Sequence, residues 1–155
     1  MAFQNYLSTQ KAPEFRGRPV DDHGKLRYQY FNVPAVAVQG DAASEFELCE
    51  MPPGAVRILL PFSRLTFSAF GVGRTLDVGH RAYMRRPPDN TQEAQNPTAL
   101  ATAIDVSAAL ANQVLGTKLK YDIYSMRGFT LYARCNVGTV PVGATLEGLI
   151  AYLYE

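Results

Sequence analysis

The stretch that most constrains this fold is the region 128–155, where apolar and polar residues alternate over two segments separated by turn residues. Apolar side chains occupy every second position of 129–135, beginning at Phe129, and this period of two is typical of a strand with one buried face. After the Gly- and Pro-containing segment 136–143, both parities of the run 146–154 hold apolar residues. This second strand is therefore predicted to be covered on both faces, either by the fold itself or by another subunit.

The same alternation recurs upstream and predicts a chain made mainly of strands. It is found in the segments 44–51, 56–60, 64–69, 75–83 and 120–126, with Pro- and Gly-rich turns such as 52–54 and 71–73 between them. Seven or eight strands at regular spacing predict a mainly β protein, with an antiparallel β-sandwich or jelly-roll-like domain.

Two segments depart from this period. Pro97 at a first helical position, followed by Leu100, Ala103 and Ile104 at helical spacing, predicts a short helix over 97–104. The segment 108–116 fits a helix or a strand equally well.

The first 32 residues have no clear period and are predicted to form an extended N-terminal arm, with the β-sandwich domain over 33–155. The arm carries guanidinium groups and aromatic rings, and both are common in protein interfaces. They favour contact of the arm with a neighbouring protein. The alternative is a disordered terminus whose aromatic residues fold back onto their own domain. The contact candidates in the arm are Arg16, Arg18, Tyr28, Tyr30 and Phe31.

The segment 84–97 is polar and, at about 14 residues, longer than most connections, which makes it either disordered or functional. Arg85 and Arg86 stand at its head, directly before two prolines, and complete the set of candidates for contact with another subunit.

The charge balance argues against nucleic acid or an anionic membrane as a main partner. Lys and Arg together number 15, against 14 for Asp and Glu. The N-terminus has no basic region followed by an apolar run, and no stretch approaches ~18 apolar residues, so we expect synthesis in the cytoplasm. Cys49 and Cys135 lack a CxxC partner or a nearby histidine and are interpreted as two free buried thiols.

The sequence offers no set of residues for catalysis, a metal or a cofactor, so we expect no enzyme, no catalytic residues and no metal site. His80 shares a strand face with apolar residues and is interpreted as a hydrogen-bonded core histidine. Asp77 lies three residues away and thus on the opposite strand face, which removes the simplest catalytic pair. An ion pair of Asp77 and Arg81, with each other or with the strands of Arg57 or Arg64, is expected there.

Three motifs carry a resemblance to small virion structural proteins of tailed bacteriophages. The resemblance covers roughly 44–155. Within this group the chain resembles the β-rich proteins of the head module, and we assign it to the head decoration (cement) proteins among them. The motifs are structural in kind, and they are Leu76-Asp77-Val78-Gly79-His80-Arg81-Ala82-Tyr83, Ala103-Ile104-Asp105-Val106-Ser107-Ala108 and Gly143-Ala144-Thr145-Leu146-Glu147-Gly148.

The resemblance implies a non-enzymatic subunit, commonly a homotrimer, that binds the major capsid protein on the outer head surface of the virion and stabilises the capsid. It implies no cofactor. The alternative is a tail or fibre protein, or a glycan-binding receptor-binding module, which exposed tyrosines would suit equally.

Overall fold

The computed structural model describes residues 5–7, 26–116 and 118–154, and side chains from residue 26 onward. The part of the chain that it describes is mainly strands and the turns between them, with almost no helix. They are β1 (Asn5–Leu7), β2 (Leu26–Val33), β3 (Glu45–Met51), β4 (Gly54–Ile58), β5 (Arg64–Phe67), β6 (Thr75–His80), β7 (Tyr83–Met84), β8 (Gln92–Glu93), β9 (Asn96–Asp105), β10 (Leu110–Val114), β11 (Tyr121–Ser125), β12 (Phe129–Cys135) and β13 (Leu146–Tyr154). A 3-10 helix, Leu60–Phe62, separates β4 from β5.

Two sheets form the sandwich. Sheet A has the order β1-β3-β12-β6-β9, antiparallel except for the parallel pair of β1 and β3. In sheet B, β13 is central: β2 pairs with one of its edges, while β5 and β4 pair with successive halves of the other. Strand β10 then pairs with β5, and β11 with β4. The prediction of a mainly β antiparallel sandwich is confirmed, and the jelly-roll variant of it stays a prediction.

The core lies between the two sheets because each strand turns alternate side chains inward. From sheet B, Leu146 and Ile150 of β13 are fully buried, as are Ile58 and Leu65 beside them. Sheet A contributes a matching inner face, centred on Phe46, Leu48, Leu76, Val78, Leu131 and Ala133. Burial of this apolar surface is the main stabilising term of the fold.

The helix predicted over 97–104 is wrong, since Asn96–Asp105 is strand β9. Leu100 and Ile104 have a spacing that fits one helix face, but two residues of equal parity also fit one strand face. Pairing with β6 along sheet A decides between them, and this tertiary contact overrides weak local propensity. The ambiguous segment 108–116 contains strand β10.

The segment 84–97, interpreted as a loop, holds a small hairpin of β7 and β8. Its first strand continues sheet B beyond β11, because Met126 N–H donates to Met84 O at 2.8 Å and Arg86 N–H donates to Tyr124 O at 3.2 Å. The hairpin therefore sits at the lateral edge of sheet B that lies opposite β2.

Pairing in sheet B begins at Leu26, inside the range 1–32 that was assigned to the arm. Strand β2 runs alongside β13 over eight register pairs, from Leu146↔Val33 to Leu153↔Leu26. Residues 26–32 are thus part of the sandwich, and the structure describes a three-residue strand, β1, nearer the N-terminus. The rest of the predicted arm, 1–4 and 8–25, lies outside the described residues.

Candidate contact surface

The outer face of sheet B carries an aromatic and aliphatic patch on its two adjacent strands β2 and β13. Register pairs place Tyr30 beside Leu149 and Tyr28 beside Ala151, with Leu26 and Leu153 paired at the end of β2. The relative exposures of Leu26, Tyr28 and Tyr30 are 45%, 47% and 61%. We call this patch the contact face, and its residues are Leu26, Tyr28, Tyr30, Leu149 and Leu153; Ala151 has the same parity but is fully buried.

Charged side chains border the contact face on the strands beyond β13. Arg57 follows Leu153 across the sheet and donates from Nε to Asp122 Oδ1 at 2.8 Å. Lys120 Nζ lies 2.9 Å from the other carboxylate oxygen. Burial opposes ionisation of Asp122, but its hydrogen bonds with Arg57 and Lys120 outweigh it and lower the pKa of the carboxyl.

Arg64 occupies the corresponding position beside Leu149, and its guanidinium donates to the carbonyl oxygens of Pro61 and Ser63. An apolar, tyrosine-rich centre with arginine at its margin is the composition that protein interfaces favour.

The outer face of sheet A has the opposite character, because its charges neutralise one another. Arg81 Nη1 lies 2.5 Å from Glu45 Oε2, its Nη2 lies 3.3 Å from Glu47 Oε1, and its guanidinium stacks 4.2 Å from the ring centre of Tyr132. Burial raises the pKa of the Tyr132 hydroxyl. This face holds paired charges and leaves no comparable exposed aromatic patch among the described residues.

The ion pair expected for Asp77 is wrong. Its Oδ1 accepts from Ala103 N–H at 2.8 Å and from Thr102 Oγ1 at 3.2 Å, which fastens strand β9 to β6. Arg81 directly follows β6, and its guanidinium instead forms ion pairs with Glu45 and Glu47 of β3.

His80 is a core histidine, as predicted, with 1% of its surface exposed. Its Nδ1 lies 3.0 Å from Arg81 O and its Nε2 lies 3.3 Å from the Tyr121 hydroxyl, so both ring nitrogens have partners. Tyr83 packs edge-on against the imidazole at 5.2 Å. Burial, followed by the charge of Glu93, raises the pKa of both tyrosines.

Within the described ranges, no group of three or more His, Cys, Asp or Glu side chains is arranged to hold a metal. No helix there has both the length and the apolar composition of a membrane span.

The structure describes five of the seven predicted contact residues, and these five do not lie on one surface. Tyr28 and Tyr30 lie together on the contact face. Phe31, the next residue of β2, points to the opposite face, is 2% exposed and belongs to the core. Arg16 and Arg18 lie outside the described residues.

Arg85 and Arg86 lie on the β7–β8 hairpin, away from the contact face. Arg85 is shared between Asp89, at 3.6 Å, and Glu93, at 3.7 Å. Arg86 is exposed and its backbone is fixed to β11.

Sequence reasoning missed Leu26 and the strand that contains it. The sequence signal was weak, since apolar and polar residues alternate over 26–30, but the apolar parity changes at Phe31, so that the inner face begins with Arg27 and Gln29. The residues before Leu26 are rich in charge and glycine and show no period. The short strand 26–33 was therefore assigned, for the most part, to the same aperiodic segment, 1–32.

Comparison with known proteins shows the fold at low sequence identity. The sequence matches no protein-family profile, and no curated protein matches it. A chain from the capsid of Ralstonia phage GP4 shares the fold with a TM-score of 0.65 at 19% identity, over 97% of this chain and 98% of that one. A chain of the cyanophage Pam1 capsid asymmetric unit has a TM-score of 0.53 at 14% identity, over 90% and 92% of the two chains.

Proposed function

We propose that this protein is a structural component of a bacteriophage virion, a decoration or cement protein that binds the outer head surface and stabilises the capsid. The observation that carries the proposal is the fold, shared end to end with chains of two phage capsids. Agreement of topology over nearly the whole of both compared chains supports the same kind of structural task. Such a subunit acts by adhesion, without catalysis or a cofactor.

The contact face supplies the adhesive surface. Its tyrosines bury a large, rigid area with few rotatable bonds, which makes a tyrosine an efficient interface anchor. The partners in this proposal are the major capsid protein and further copies of the chain, as a homotrimer. Several weak contacts made at once raise avidity by roughly 10²–10⁴ over a single site.

The test is addition of purified protein to expanded capsids assembled without it. We expect stoichiometric uptake and a higher temperature of DNA release. Tyr30→Ser should weaken uptake by about 30-fold, since an interface anchor contributes about 2 kcal/mol. The matched control is Val72→Ser, at a 96% exposed position in a turn away from this face. Wild-type protein that neither binds nor raises the release temperature would refute the proposal.

A second candidate function, glycan binding, is favoured by a cleft at one end of the contact face. The cleft has a volume of about 270 Å³ and combines one exposed aromatic ring with amide, hydroxyl and charged groups. Its polar and aromatic side chains are Tyr30, Asn32, Arg64, Thr66, Asn112 and Glu147. Saccharide binding that is lost in Asn112→Ala, together with absence of capsid uptake, would favour this second function.

A further inference from the structure

A second exposed patch lies on the outer face of sheet B, at the margin opposite β2. It forms where the chain after Tyr83 pairs with the end of β11. Arg85 bridges Ser125 there, and Ser125 is fully buried, so the residues on either side of these two lie on the outer face. Together with an exposed arginine of the following turn they form what we call the arginine patch: Met84, Arg86, Tyr124, Met126 and Arg127.

Every side chain of the arginine patch is exposed. Met84, Tyr124 and Met126 have relative exposures of 38%, 49% and 40%, and both arginines are exposed beside them. Tyrosine, methionine and arginine are residue types that protein interfaces hold in excess over the rest of a protein surface. A methionine side chain also adapts its shape to a partner. The composition is therefore that of a surface that binds another protein.

The two arginines of the patch have no counter-ion among the described residues. The acidic side chains nearby are engaged elsewhere, since Asp122 lies between two cations and the two acidic residues of the hairpin lie beside Arg85. The segments 84–93 and 118–127 hold five Lys or Arg against three Asp or Glu, whereas the whole chain holds 15 against 14. This margin of the sheet therefore carries a local excess of positive charge.

The arginine patch is held in place by the core beneath it. Tyr83, next to Met84, has its ring centre 5.2 Å from that of His80 and 5.7 Å from that of Phe129. The two backbone hydrogen bonds between the hairpin and β11 fix its other side. A surface that is ordered before binding loses little conformational entropy when a partner docks on it.

We propose that the arginine patch docks on an acidic surface of the major capsid protein, where carboxylates flank an apolar centre. This inference rests on the proposed function, which supplies the capsid as the partner. An arginine binds a carboxylate through two parallel hydrogen bonds, and its weak hydration suits a buried interface. The capsid carboxylates pair with Arg86 and Arg127, and the apolar centre packs on the two methionines and Tyr124.

The composition of the patch favours a protein over a nucleic acid. Strong binding to duplex DNA rests on roughly six to ten neutralised phosphates, whereas the patch presents two arginines without a counter-ion. A phosphate backbone also provides no apolar surface for Met84 and Met126. A protein surface satisfies both kinds of side chain.

The arginine patch and the contact face share one side of sheet B. Strands β2, β13, β4, β11 and β7 follow one another across it, so the two patches are about four strand spacings, or ~19 Å, apart. Between them lie Arg57 and Asp122, which neutralise each other. Both patches can therefore face the capsid at once, and two contacts made by one rigid body raise avidity.

Capsid uptake of a charge variant tests the inference. Arg86→Gln with Arg127→Gln removes two positive charges at exposed positions, so its Tm should match that of the wild type. The matched control, Gln39→Glu with Asn136→Asp, changes the net charge equally on exposed loops at the other end of the sandwich. We expect the patch variant to bind expanded capsids about 10-fold more weakly than the wild type at ~50 mM salt, and the control to stay within about twofold. The defect should shrink to about twofold at ~500 mM salt, because salt screens exposed charges.

Equal uptake of the patch variant and the control would overturn the inference, while wild-type uptake would still support the proposed function. A defect that does not change with salt would also overturn it, because the arginines would then not act through their charge. Sedimentation and titration with a short DNA duplex address the other occupants. A variant that loses self-association or DNA binding, with capsid uptake unchanged, would reassign the patch to a second copy or to nucleic acid. Wild-type protein that does not bind capsids would refute the proposed function and this inference together.

Discussion

Replacing Gly79 by alanine should loosen the edge of sheet A, because β9 approaches β6 closely at this position. A Cβ atom added to Gly79 would lie 1.8 Å from Asn96 O and 2.6 Å from the carbonyl carbon of Pro97. Contacts under 3.0 Å are essentially never found for real Cβ atoms, so the two strands must separate by about 1.2 Å. Both obstructing groups are backbone, and no side-chain rotation relieves them.

The expected cost is about 3 kcal/mol, the upper end for overpacking, even after an offset of about 0.4–1 kcal/mol from the lower entropy of the unfolded alanine chain. For a chain of this size the cost corresponds to a fall in Tm of about 6–12 °C, measurable by circular dichroism or calorimetry. Hydrogen exchange should show the loss concentrated in β9.

The matched control is Gly116→Ala, whose added Cβ would meet Leu100 O at 3.3 Å and Leu60 Cδ1 at 3.4 Å, with no positive φ. We expect this variant to stay within about 1 kcal/mol of the wild type. A Gly79→Ala protein with the same Tm as this control would show that β9 is not packed on β6 at that position, and would refute the reasoning.

The other predictions concern buried polar groups. Cys49 and Cys135 should react with a thiol reagent at pH 8 only after denaturation, because both are fully buried and burial raises the pKa of the Cys135 thiol; rapid labelling of the folded protein would contradict this. Since burial raises the folded-state pKa of that thiol above the ordinary value of 9.0, its contribution to stability is present below pH 9 and should be lost as pH rises further, as an alkaline series of unfolding curves would show. Tyr121→Phe removes the hydroxyl 3.3 Å from His80 Nε2 and should lower the unfolding free energy by about 1–3 kcal/mol in urea titration, whereas Tyr124→Phe, at an exposed position, should change it little.

The sequence by itself determined the class of the fold and most of its strands. Alternation is a local signal, and a strand whose side chains alternate between buried and less buried, such as β5 or β11, shows it directly in its sequence. The same parity rule placed His80 in the core. It also identified the apolar outer parity of β13 as a surface that needs cover.

Tertiary structure decided the elements whose local signal was weak or shared between two conformations. Strand β9 has residues that satisfy a helix as well as a strand, and pairing with β6 selects the strand. Strand β2 follows a segment of glycines and charges, so its eight residues gain their conformation from β13. The contact face itself unites two strands more than a hundred residues apart, and register between distant strands is set by packing across the sheet, which no local pattern encodes.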